Sequence, residues 1–323
     1  MTVRVIVVGT GFGARVVAPV FASTSECEVV AVVSPRDDVQ SAIATQPCDL
    51  VAIHSPPFLH AEHARAAIDH GRALLCDKPC TPSASTTAAL LDMAEDAGAL
   101  HLVNFEFRHD PLRRELRDLV RAGAIGEVKC VDWTHVSSGS SVPLRRYGWL
   151  FDAALGGGWV GAWASHAVDA LRWILDDELV VIESSPRIDI ARRPDDEGIE
   201  RECTAEDGVR ATLRSTRGVE IQIDSTFAAP TARRPRLVVR GTAGVLAAIG
   251  SRLEYTVDGE TREIPSRAHS LGASDPHIEP MRRLAEVARD CVLVGAAGPD
   301  TPTLVDGLAV DRVLDALRAG RDG

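Results

Sequence analysis

A lysine, a histidine and a run of glycines carry most of the chemistry legible in this 323-residue chain. Gly9-Thr10-Gly11-Phe12-Gly13-Ala14 follows an apolar run, Val3–Val8, and reads as G-x-G-x-x-A with an extra glycine. In a strand-to-helix turn, Gly9 makes the tight bend and Gly11 lets backbone approach a pyrophosphate. Ala14 is small enough for the helix to lie against the strand. The pyrophosphate then meets the unpaired N–H groups and positive end of that helix. Glycines also end strands without any functional reason; it is the position directly after an N-terminal apolar strand that favours dinucleotide binding. The next apolar run ends at Val33 and is followed by Ser34-Pro35-Arg36. An acid there would hold the ribose 2′-hydroxyl of NAD, whereas serine and arginine suit a 2′-phosphate. The expectation is NADP ahead of NAD. The alternative is a solvated Arg36, with Asp37 or Asp38 reaching the ribose instead.

Lys78, in Asp77-Lys78-Pro79, lies just beyond the carboxyl end of a central strand, where open α/β sheets bind ligands. The same tripeptide also reads as an exposed charge followed by a turn. Farther on, Gly156–Gly158 open a helix running to about Leu175. Along one side of it Ala162, His166, Asp169 and Trp173 recur at i, i+4, i+7 and i+11, which puts an imidazole and a carboxylate on one face. The three glycines would let backbone pass close to a ligand. They are not a phosphate loop, since no G-K-[ST] follows. A lone helical histidine is ordinarily structural, and Asp169 reads equally as a helix-surface charge. As residue types, an ammonium can stabilise negative charge on an oxygen and an imidazole can exchange a proton near neutral pH.

The elements that must position these residues alternate up to Asn104. Strands are predicted at Val3–Val8, Val29–Val33, Leu50–His54, Ala73–Cys76 and Leu100–Asn104. Helical patterns fall between them at Ala14–Ala22, Asp38–Thr45, His60–His70 and Ser83–Ala97, the last two ending at Gly71 and Gly98. Near-continuous apolar strands are those covered on both faces, so this part reads as a doubly wound Rossmann domain with a parallel sheet, residues 1–111. Residues 112–323 read as an α+β domain. It starts with a helix at Leu112–Arg121 and continues with strands Val128–Val136, Val180–Ile190, Gly208–Leu213, Val219–Phe227, Arg236–Val239 and Leu253–Val257. Thr216-Arg217-Gly218 and Asp258-Gly259 are hairpin turns, which makes this a large, open, mainly antiparallel sheet with helices on one face. Asp196–Arg201 is expected to be a mobile loop. Pro299–Pro302 introduces a last helix through Leu317 that can pack back on the first domain.

Composition excludes several functions. With 46 acidic against 35 basic residues and a formal net charge of -11, the surface repels nucleic acid and anionic membranes. No apolar run reaches the roughly 20 residues of a bilayer span, and the first eight residues read as a buried strand rather than a secretory signal. The seven cysteines are odd in number and scattered without C-x-x-C, which suits a cytoplasmic setting and gives no metal site. His60 and His63 are spaced i, i+3, not the i, i+4 of a zinc helix.

Taken together, the glycine turn and the stretch Asp49-Leu50-Val51-Ala52-Ile53-His54-Ser55-Pro56-Pro57-Phe58-Leu59-His60, followed by Cys76-Asp77-Lys78-Pro79, resemble the Gfo/Idh/MocA oxidoreductases. The resemblance continues through Asn104–Pro111, Gly123–Gly126 and Gly156–Asp169, with a weaker echo at Asp306–Val310, so it spans nearly the whole chain. It implies an NAD(P)-dependent dehydrogenase or reductase acting on a sugar, cyclitol or related hydroxy or keto compound. By it, Lys78 is the catalytic lysine and His166 the proton donor or acceptor at the substrate oxygen, with Asp169 orienting a substrate hydroxyl. The cofactor residues it implies are Gly9, Thr10, Gly11, Phe12, Gly13, Ala14, Ser34, Arg36, Ser55, Pro56, His60, Asp77, Lys78 and Asn104, with Pro56 and His60 on the nicotinamide side. It also implies a homodimer or homotetramer formed through the open sheet face. Two residues depart from the family pattern. Asp77 stands where glutamate is usual, and Ala162 stands where many sugar-alcohol dehydrogenases carry aspartate. Ala162 keeps open a nucleotide-binding regulator without turnover; a glycoside-cleaving relative using bound NAD is a further alternative.

Overall fold

The computed structural model describes residues 1–265 and 275–320. It divides into two compact units, residues 1–109 with the described part of 273–312, and residues 110–265 with 313–320. The sequence reading draws one boundary near residue 111; the chain instead leaves the first unit after His109 and returns to it near its end.

The first unit begins with β1 (Val3–Val8), a π-helical turn over Gly13–Val17 leading into α1 (Ala18–Ser23), and β2 (Cys27–Val33). α2 (Val39–Thr45), β3 (Leu50–Ile53), α3 (His60–Asp69), β4 (Ala73–Cys76), α4 (Ala84–Asp96) and β5 (His101–Val103) follow. All pairings are parallel, in the order β2-β1-β3-β4-β5. Every residue of β3 is buried, as two-sided coverage of a central parallel strand requires. Because the order reverses at β1 and β3, the crevice beyond their carboxyl ends is where this topology binds ligands.

The second unit contributes α5 (Pro111–Arg121), capped by the Asp110 side chain, then β6 (Val128–Val136), α6 (Ser165–Leu175) and β7 (Leu179–Arg187). β8 (Arg192–Pro194), β9 (Glu200–Glu202), β10 (Gly208–Ser215), β11 (Glu220–Thr226), β12 (Arg236–Gly241), β13 (Val245–Ile249), β14 (Arg252–Val257) and β15 (Glu260–Ile264) complete it. Its sheet runs β15-β14-β13-β12-β6-β11-β10-β7 and is antiparallel except for β11 on β6. On β10, Val209, Ala211 and Leu213 are buried while Arg210 and Arg214 are exposed, the alternation of a sheet with one covered face. The expected loop at Asp196–Arg201 is corrected: Glu200 and Arg201 lie in β9, paired with β8. Asp195 organises the turn between them by accepting from the Glu197 and Ile199 N–H groups at 3.0 and 2.9 Å. The strand expected to reach Ile190 ends at Arg187, since the Ile190 N–H bonds the Asp207 carboxylate rather than a neighbouring strand.

Beyond β15 the chain forms α7 (Ile278–Val294), in the first unit, and α8 (Leu304–Ala319), whose residues from Val313 on belong to the second. The sequence reading did not include α7. Its buried side, Met281, Leu284, Ala285, Ala288 and Cys291, joins Val3, Val5, Val7, Val17 and Phe21 in one core.

Candidate active site

The glycine turn is shaped by close approach. Gly9 has φ +144°, and a Cβ there would come within 2.5 Å of the His54 carbonyl oxygen, so only glycine fits. Its N–H donates to the Val33 carbonyl at 2.9 Å, and His54 N–H donates to Val8 at 2.7 Å, locking the ends of β1, β2 and β3 together. Gly11 is exposed, and a Cβ there would meet nothing within 4 Å. That open cradle fits a pyrophosphate. The helix-against-strand contact assigned to Ala14 belongs to Gly13: a Cβ on Gly13 would sit 3.2 Å from both the Val7 and His54 side chains, whereas Ala14 is only half-buried. Thr10 is exposed, and the half-buried Phe12 ring lies 5.9 Å from His54 and 5.3 Å from His277.

At the end of β2, Arg36 is exposed and its N–H donates to the Ser34 hydroxyl at 3.2 Å. Asp38 caps α2 by accepting from Ser41 N–H at 2.8 Å, so one of its oxygens is already engaged by the helix.

Beyond β3 and β4 the side chains interlock. Asp77 Oδ1 accepts from Lys78 N–H at 2.9 Å and from Asn104 Nδ2 at 3.1 Å. Its Oδ2 lies 3.3 Å from His54 Nδ1. Burial alone would raise the Asp77 carboxyl, but the positive ends of His54, Lys78 and His60 hold it well below the usual carboxylate range. Lys78 is half-buried and its peptide bond to Pro79 is cis. Ser55 is buried, with its hydroxyl 3.0 Å from His63 Nδ1, and Pro56 is half-buried beside it. The sequence reading has His60 lining the nicotinamide side of the pocket. Instead its ring is 1% exposed and both nitrogens face backbone carbonyls, leaving no polar atom for a ligand. His54 went unassigned in the sequence, although its place at the carboxyl end of β3 could have flagged it. The pair formed by His277 and buried Glu106, 2.8 Å apart, had no local signal, being 171 residues apart in sequence.

His166 and Asp169 belong to the second unit, on α6, and are 5% and 2% exposed. The surface-charge reading of Asp169 is therefore excluded. The glycines ahead of this helix serve packing rather than a ligand. A Cβ on Gly157 would lie 2.6 Å from the Leu150 carbonyl oxygen, and one on Gly158, at φ +107°, would collide with the Glu206 carboxylate. Glu206 accepts from Val160 N–H at 3.0 Å and holds the start of the π-helical turn Val160–Ala164 that runs into α6. Burial pushes the Glu206 carboxyl up, with Arg318 opposing. Trp159 stacks on Phe227 at 4.4 Å and donates to Ser225 Oγ at 2.8 Å, anchoring the same turn. Nearby His135 is kept neutral: burial and the Arg113 charge push its pKa down to about 4. Ala162 is half-buried.

Among the described residues no group of His, Cys, Asp or Glu is arranged to hold a metal ion, and no helix is long and apolar enough to cross a membrane.

Known proteins match both units. Residues 3–105 fit the oxidoreductase family with an NAD-binding Rossmann fold, and residues 113–247 fit the GFO/IDH/MocA C-terminal domain. Inositol 2-dehydrogenase 3 of Saccharopolyspora erythraea is 30% identical over 99% of this chain and 95% of that protein. The chain belongs to the GFO/IDH/MocA family. D-xylose 1-dehydrogenase (NADP(+)) 2 of Haloferax volcanii is also 30% identical, covering 78% of this chain and 80% of its own. A levoglucosan dehydrogenase in complex with NADH and L-sorbose shares the fold, with a TM-score of 0.87 at 20% identity over 98% of this chain and 96% of that one. As a member of this family the chain is an NAD(P)-dependent oxidoreductase, and residues 3–105, which include the glycine turn, form its NAD-binding Rossmann fold.

Proposed function

We propose that this enzyme moves a hydride between nicotinamide and a carbinol or carbonyl carbon of a sugar, cyclitol or close relative, with NADP preferred to NAD. The observation that supports this is the position of Lys78 directly beyond β4, at the carboxyl end of a parallel strand where such sheets bind ligands, with its N–H donating to the Asp77 carboxylate at 2.9 Å. The substrate class is supported by the relatives, named for inositol, D-xylose and levoglucosan.

The cofactor supplies the hydride acceptor or donor. The turn from Gly9 through Thr10, Gly11, Phe12 and Gly13 to Ala14 holds the diphosphate, while Ser55, Pro56, Asp77 and Asn104 border the nicotinamide half. Ser34 and Arg36 favour a 2′-phosphate, because an arginine can pair with it and the residue directly after the strand is serine rather than an acid. The Lys78 ammonium donates to the reacting oxygen and stabilises its developing negative charge. His166 takes or returns the proton of that oxygen, and Asp169, buried one turn on, orients a neighbouring substrate hydroxyl. The outward sheet face, where Val180 and Ile182 stay 52% and 41% exposed, is the surface through which a homodimer or homotetramer would form; a monomer by light scattering would remove that part.

Turnover of a panel of sugars, cyclitols and keto sugars with both cofactors tests the whole. Lys78→Ala and His166→Ala should each cut kcat by about 100-fold or more with cofactor affinity little changed. Normal turnover by either variant takes that residue out of the mechanism. Arg36→Ala should shift the NADP/NAD preference toward NAD by about tenfold, and a wild-type preference for NAD overturns the cofactor assignment.

A further inference from the structure

His60 is enclosed by acceptors. Its Nε2 lies 2.6 Å from the Ser55 carbonyl oxygen, and its Nδ1 lies 3.1 Å from the carbonyl oxygens of both Pro79 and Cys80. A carbonyl oxygen only accepts, so each ring nitrogen must donate, yet a neutral imidazole has one N–H. Either neutral tautomer would press a lone pair against a carbonyl inside a site that is 1% exposed. The doubly protonated ring satisfies every contact.

We propose that His60 is a positioning residue, an imidazolium charged at neutral pH that ties the loop bearing Lys78 to the loop following β3. The tie spans the crevice floor: Ser55 and Pro56 stand on one side, Lys78-Pro79-Cys80 on the other, and the ring's two N–H groups bridge them. It sets where the Lys78 ammonium starts from without touching cofactor or substrate.

The charged and titratable surroundings suit a cation. The Cys76 sulfur at the end of β4, itself lowered to about 6 by Cys80 and by His60, favours the charge most, through its own charge and a hydrogen bond to the ring; Asp77, an ionised carboxylate just past β4, and the Ser55 carbonyl add to it. Against these stands burial, the largest single influence on the ring; His63, one turn along α3, has its own pKa lowered by burial. The balance carries His60 up to about 9. His63 is instead served by the Ser55 hydroxyl at 3.0 Å, which steadies the other side of the same loop.

The assignment of a positioning role rests on Lys78 acting as proposed above, but the charge of the ring does not. The test therefore has two arms on the full chain. In the first, ¹⁵N NMR of the histidine side chains in the wild-type protein, with and without NADP, should show both His60 nitrogens protonated at pH 7. A single protonated nitrogen overturns the proposal. In the second, His60→Asn should shift the backbone amides of residues 77–80 while leaving Gly11 in place. It should lower kcat about 10- to 100-fold with Kd for NADP changed less than about threefold. NADP affinity lost with kcat intact would make His60 a cofactor contact and refute the positioning role. Should the wild type turn over no sugar at all, the proposed function fails, while the NMR arm still decides the state of His60.

Discussion

The crevice of the first unit and the His166 helix of the second place polar chemistry by different means. In the first, the side chains sit on turns a few residues long, and backbone sets them. Gly9 bends against the His54 carbonyl, Asp77 is gripped by the N–H of the residue after it, and His60 faces three main-chain oxygens. In the second, His166 and Asp169 ride a regular helix whose place is set by tertiary contacts at its start, namely Glu206 on Val160, Gly158 under that carboxylate, and Trp159 on Phe227. A site made from turns depends on φ and on hydrogen-bond partners nearby in sequence. A site carried on a helix depends on side chains tens of residues away.

Substitutions at one glycine in each region test this contrast. Gly9→Ala should do the most damage, because it adds a strained φ to an overlap with backbone that cannot retreat. A loss of about 3 kcal/mol in stability together with NADP binding is expected, read by denaturant unfolding and titration calorimetry. Gly158→Ala should cost less, about 2 kcal/mol, since the Glu206 side chain can turn aside, and NADP affinity should hold while kcat falls. Equal losses of NADP binding in the two variants would erase the distinction between the regions.

The third test is pH. His60, raised above its unfolded value to about 9, contributes stability that is complete below the ordinary histidine range and disappears as pH climbs through 9. Asp77, depressed, contributes stability that is present above the ordinary aspartate range and is lost as the solution is acidified below it. His60 should therefore contribute on the order of 2 kcal/mol less at pH 9.5 than at pH 7. The Cys76 thiol, lowered to about 6, gains a similar amount over the same interval, so the loss is read in a Cys76→Ser background, where His60→Asn should abolish most of it. A Cys76→Ser protein whose Tm stays level across this interval contradicts the tie across the crevice floor.

The same contrast explains what the sequence made legible. β1 and β4 were delimited to the residue, because Val3–Val8 and Ala73–Cys76 are apolar runs punctuated by turns. The glycine turn was equally plain as a pattern, though its packing role fell on Gly13 rather than Ala14, a distinction that depends on how the π-helical turn meets Val7. Gly156–Gly158 looked like a ligand approach and turned out to accommodate the protein's own carbonyls and Glu206, which lies some fifty residues later and leaves no trace in the local pattern. β15, Glu-Thr-Arg-Glu-Ile, was missed because an exposed edge strand is charged and so reads as loop. The charge on His60 could not be read at all, since it follows from three carbonyl oxygens converging in space.

α7 gives the first unit part of its core from residues near the end of the chain: Met281, Leu284, Ala285 and Ala288 pack with Val3, Val5 and Phe21. During synthesis, β1 to β5 leave the ribosome well before that helix does. The nucleotide-binding half must wait, incompletely covered, while the whole of the other half is translated. A fragment ending at residue 109 would keep that apolar surface open to water and would be expected to aggregate when expressed alone.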